Sequence, residues 1–103
     1  MPETRTIRVI AFREGDLWVA QCLEYDIGAQ APNLEELHDR LMVAIKMERQ
    51  ESTQRLGEAF AGIGPAPSHF HDMWEKRSGN FEPMRPTEMH EGNPVKVELA
   101  LAA

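Results

Sequence analysis

The sequence predicts an α+β fold: a three- to four-stranded antiparallel sheet in β-β-β-α order, one long helix on one face, an irregular tail and a C-terminal strand. Three observations predict it. Three β-rich runs follow one another between residues 5 and 31, separated by turn residues. A sharply started, apolar-periodic helix comes next. Five of the seven prolines then lie at or beyond residue 65, where the chain changes character.

The first strand, near 5–13, carries apolar groups on both faces. Ile7, Val9 and Ala11 share one side; Ile10 and Phe12 share the other with Arg8. Glu14, Gly15 and Asp16 form a hairpin signal. The second strand, near 17–24, puts Leu17, Val19 and Leu23 opposite Trp18, Ala20 and Cys22. The third, near 26–31, is built from small residues, which suits a sheet edge or a close neighbour.

A helix from about 34 to 60 follows. Asn33 precedes it and Glu36 sits three residues on, the spacing of a capping box. Leu34, Leu37, Leu41, Ala44 and Ile45 recur at helical spacing and predict the sheet-facing side. Residues 46–55 are almost entirely polar, so the helix is expected to overrun the sheet or fray there. Leu56, Ala59, Phe60 and Ile63 resume the apolar stripe before GIGPAP ends it.

This divides the chain into a β-β-β-α domain over 1–63 and a Pro-rich tail over 64–103. The tail predicts a short helix near 68–77, capped by Ser68, with Phe70, Met73, Trp74 and Arg77 on one side. Residues 78–94 read as loop. Val95, Val97, Leu99 and Leu101 alternate with Lys96, Glu98, Ala100 and Ala102, predicting a strand near 95–102. Such a strand must pair, with its own sheet or with another copy.

At 103 residues there is room for one modest core. A net charge of −6 argues against autonomous binding to nucleic-acid backbones and suits a basic protein partner. One cysteine excludes an internal disulfide and a cysteine-rich zinc site. No apolar run reaches the roughly 18 residues of a spanning helix, and MPETRTIRV has no apolar leader region. A reducing, cytoplasmic setting is expected.

The chemistry-bearing residues read as structural. Metal-dependent phosphoryl chemistry needs several converging carboxylates. Glu24 and Asp26 lie at one end of their strand and Asp16 at the other, so all three read as turn residues. His69 and His71, two apart, diverge on a helix, and with His38 and His90 predict no metal site. Cys22 alternates in phase with Trp18 and Ala20 and reads as a packed small hydrophobe. No catalytic residue and no cofactor site is expected. The candidate interface residues are Phe12, Trp18, Phe70, Trp74, Val97 and Leu99: large apolar groups on a second sheet face, a short tail helix and a terminal strand. Trp18 can lie on either face of the sheet.

FREGDLWVAQCLEY, APNLEELHDRLMVAIKMERQ with its paired Glu35 and Glu36, and the Ile63-x-Pro65-x-Pro67 element, taken in order over roughly residues 5 to 68, resemble the HicB-like family of antitoxin-type proteins. The resemblance implies a three-stranded antiparallel sheet with a helix on one face, a partial ribonuclease-H fold. It implies a non-enzymatic protein that binds and neutralises a small basic RNA-cleaving toxin and forms homo-oligomers, dimer or tetramer. The chain departs from the family pattern at Gln30, Ala31 and Pro32, where members often carry a Thr-x-Gly-Asp/Glu-Thr type segment. Residues 64–103 offer only Lys76, Arg77, Arg85 and Lys96 as basic groups, so no DNA-reading module is expected. The alternative is a stand-alone oligomeric relative with an unknown ligand and no toxin partner.

Overall fold

The computed structural model describes residues 5–78, 87–89 and 95–102. Pro83, Arg85, Pro86, His90 and Pro94 lie outside the described residues. Five strands and two helices form an α+β fold: β1 (Arg5–Glu14), β2 (Leu17–Cys22), β3 (Gly28–Ala31), α1 (Leu34–Leu56), α2 (Ser68–Glu75), β4 (Thr87–Met89) and β5 (Val95–Leu101).

β1, β2 and β3 form the expected antiparallel meander. The β1–β2 register pairs Glu14 with Leu17, leaving Gly15 and Asp16 as a two-residue loop. Gly15 takes φ of 60°, which the first position of a type II′ turn requires.

The sheet is larger than expected and mixed. Its order is β3-β2-β1-β5-β4, and β5 runs parallel to β1. The terminal strand therefore docks on its own chain, beside β1. Side-chain alternation carries no sign of strand direction, which is why the sequence suggested an all-antiparallel sheet. Within the expected loop 78–94, Thr87–Met89 is a strand, held by backbone pairing to β5.

Helix α1 begins as the sequence implies. The Glu36 backbone N–H donates to the Asn33 side chain at 2.8 Å. The reciprocal half of the box is not made; the Glu36 carboxylate sits 3.5 Å from Arg40 one turn on. The helix ends earlier than expected, at Leu56, because Gly57 adopts φ of 78° and its N–H closes onto the Thr53 carbonyl.

Two cores flank the sheet. On one face, Leu37, Leu41 and Ile45 of α1 bury Ile7, Val9, Ala11, Ala20, Cys22, Ala31, Val95, Val97 and Leu99. Leu34 and Ala44 pack at its edge. Each of the large aliphatic side chains among them, such as Ile7, Leu37 or Val97, contributes roughly 1.5–3 kcal/mol on burial. On the other face, Ile10, Leu23, Ala100 and Trp74 form a smaller cluster under α2. Pro67, not Ser68, is the cap residue of α2, and it makes no side-chain hydrogen bond to the helix. What holds α2 is mainly apolar, Trp74 and its neighbours Phe70 and Met73, with the Arg8 guanidinium of β1 over the Trp74 ring.

Candidate functional site

Strand β1 outruns its parallel neighbour. The last β1–β5 pair is Ala11 with Leu101, and Ala102 adds one more bond, its N–H donating to the Ala11 carbonyl at 2.9 Å. Backbone groups two residues apart point to the same side of a strand. The Arg13 N–H and C=O therefore point into the same lane as the Ala11 carbonyl. Among the described residues no strand continues that lane beside Phe12, Arg13 and Glu14.

Around this open end lies a groove of about 450 Å³, lined by Ala11, Phe12, Arg13, Trp18, Met73, Leu101 and Ala102. The hairpin register sets its walls. Arg13 pairs with Trp18 on one face of the sheet, with the guanidinium carbon 5.5 Å from the ring centre. Phe12 lies on the opposite face and stacks on Phe70 of α2, centroids 6.1 Å apart. The groove wraps the strand end between these walls. Leu17, next to Trp18 at the start of β2, is exposed. The exposed carboxylates Glu14 and Asp16 belong to the hairpin, and Asp72 and Glu75 to α2.

Of the six expected interface residues, Phe12 and Trp18 line this groove from opposite faces of the sheet and Phe70 stacks on Phe12 beside it, each partly exposed. The other three are corrected. Val97 and Leu99 are buried beneath α1, and Trp74 is buried beneath α2. Alternation in a strand, or an apolar stripe on a short helix, looks the same whether the cover is the chain's own or a partner's. Trp18 lies on the α1 side of the sheet, packed at the edge of that core.

Two of the three carboxylate candidates are bonded locally, and the third, Asp16, is an exposed hairpin residue. Glu24 accepts from Arg8, and Asp26 accepts from the Gln21 amide at 2.9 Å. Among the described residues no group of three or more His, Cys, Asp or Glu is placed to hold a metal ion. Cys22 is fully buried, and burial pushes its thiol up to about 12, with the Glu24 charge adding to the shift.

Sequence reasoning missed the polar groups that α1 buries within its polar stretch, Arg49 and Ser52. Arg49 and Arg5 line a cavity of about 30 Å³ with Ala59, Phe60 and Val95, enough for a single water. The open lane at Arg13 was also missed. Its signal is only a length mismatch between two strands that the sequence does not reveal to be neighbours.

No family model, no curated protein and no solved structure matches this chain. Among the described residues no helix is long and apolar enough to cross a membrane.

Proposed function

We propose that this chain is a non-enzymatic polypeptide-holding module of the HicB-like antitoxin type, acting in the cytoplasm, associating with copies of itself, and neutralising a small basic RNA-cleaving partner. The observation that carries the reading is the open lane beside Phe12–Glu14 with an apolar groove against it. A strand added to a sheet edge gains main-chain hydrogen bonds, and pockets beside it select side chains. Here the groove would take an apolar anchor. The hairpin and α2 carboxylates would face the partner's Lys and Arg groups, and the net charge of −6 would steer its approach. The meander with one helix on a face is also the arrangement that the family resemblance implies.

The test is to mix the chain with any short basic protein encoded beside it and follow RNA cleavage. The expected result is stoichiometric inhibition by the wild type and weakened inhibition by Arg13→Pro. That substitution removes the N–H pointing into the open lane while sparing the β1–β2 ladder. Cleavage that proceeds unchanged with the wild type present would overturn the proposal.

A further inference from the structure

Helix α1 shows a second surface, on the side turned away from the sheet. Val43 and Met47, one turn apart, are 56% and 62% exposed. They sit at the middle of a seam running Glu36, Arg40, Val43, Met47, Gln50 and Gln54, in alternating steps of four and three residues. That spacing is the seam of paired helices, where every 3.5 residues returns to the same line.

The seam is symmetric about Ile45. Reversed end for end, Val43 faces Met47, Arg40 faces Gln50 and Glu36 faces Gln54. Flanking charges also match. Arg40 of one helix falls beside Glu51 of the reversed one, on the same side of the seam, and each is exposed. Both have partners within their own chain: Arg40 lies 3.5 Å from Glu36 and donates to the Gln30 carbonyl of β3 at 2.9 Å, and Glu51 has Arg55 at 3.4 Å. These long side chains can therefore share their charges across a contact without leaving any group unpaired. Asp39 falls beside Gln50, a neutral group. Lys46 meets its own copy near the axis, but at the rim, where two long exposed side chains can splay into water. A parallel arrangement would instead set Glu36 against Glu36 and Arg40 against Arg40 within the seam itself.

We propose that the occupant of this face is a second copy of the chain, its α1 antiparallel about a two-fold axis near Ile45. A two-fold contact requires a self-complementary patch, and this seam is one. The proposal deepens the self-association part of the functional reading and gives it a surface separate from the groove. The contact spans 19 residues of helix, roughly 28 Å, with only two apolar groups per copy at its centre. A contact of that size belongs with small, weak interfaces, so the dimer is expected to fill toward the upper end of the concentration range.

The test is sedimentation equilibrium of the chain alone, from a few micromolar to about a millimolar. A monomer–dimer equilibrium is expected. Met47→Glu should weaken it about a hundredfold, because each copy would bring a carboxylate into the apolar centre. Arg40→Glu should weaken it by setting a second carboxylate against Glu51, and the double variant R40E/E51R should restore it. A wild type that stays monomeric throughout would overturn the proposal. So would a dimer indifferent to M47E, or an R40E loss that E51R does not repair, with circular dichroism confirming that each variant folds. Because no partner is present, a monomer here leaves inhibition of RNA cleavage intact as a separate result, and failed inhibition leaves the dimer.

Discussion

Arg8 and Glu24 are joined twice: the Arg8 backbone N–H donates to one carboxylate oxygen of Glu24 and its Nε to the other, both at 2.6 Å. The same guanidinium lies 5.8 Å from the centre of the Trp74 ring, which Arg77 also approaches at 4.5 Å. One residue of β1 thus ties the turn after β2 to the helix that covers the second face. The pair is about one-third exposed, so its charge term is screened. Arg8→Ala should cost about 1–2 kcal/mol in urea unfolding, from lost hydrogen bonds and packing on Trp74. It should also shift Trp74 emission to the red as α2 loosens.

Cys22 sets an alkaline limit on stability. Its thiol is near 9 in the unfolded chain and about 12 when folded, so the folded state holds the proton more tightly. The unfolded chain binds fewer protons between those values, and stability falls as pH rises through that window. Below pH 9 the contribution is fully present; its loss by pH 12 is on the order of 4 kcal/mol. Cys22→Ala should flatten the decline in unfolding free energy over this range. In the native protein the thiol should resist iodoacetamide at pH 8 and react on unfolding.

Phe60 is the one described non-glycine residue with positive φ, at 61°. Its ring is buried and stacks on Tyr25 with centroids 4.5 Å apart, while Arg5 donates to the Tyr25 hydroxyl and to the Ala59 carbonyl. Packing holds a backbone conformation that costs about 1 kcal/mol by itself. Phe60→Ala keeps that cost and loses the packing, so a drop of about 3–5 kcal/mol is expected in thermal or urea unfolding.

At the ends of α1 the expected effects are smaller. Asn33→Ala removes the acceptor for the Glu36 N–H and should cost about 1 kcal/mol. Gly57→Ala meets no atom within 4 Å, so only the left-handed backbone is penalised, again by about 1 kcal/mol. Both are measurable as shifts in the urea midpoint with unchanged slope.

Local chemistry explains what the sequence revealed. The hairpin at Gly15, the start of α1 at Asn33 and the stripe Leu37, Leu41, Ile45 each depend on neighbours a few residues away. The two apolar faces of β1 foretold that neither side of the sheet is fully wetted, but the second face, read as suited to assembly with another copy, is covered by the chain's own α2. Long-range choices were hidden. Nothing in Val95–Leu101 says that it lies parallel to β1, and so Val97 and Leu99 read as interface when they are core. Phe60 fits the helical spacing of α1 yet lies beyond Gly57, because one left-handed glycine outweighs a periodic pattern. At the groove, Phe12, Trp18 and Phe70 were recognisable as types that anchor contacts. Their convergence needed the register of β1 on β2 and the docking of α2.

The central claim is that polypeptides are held at the open end of β1. The most direct measurement is amide NMR of the labelled chain as a short basic protein encoded beside it is added. Shifts should concentrate at Phe12–Glu14, the Trp18 indole, Phe70, Met73 and Leu101, and Arg13 should gain protection from hydrogen exchange. Saturable binding whose shifts fall elsewhere, with Arg13 exchange unchanged, would contradict the account.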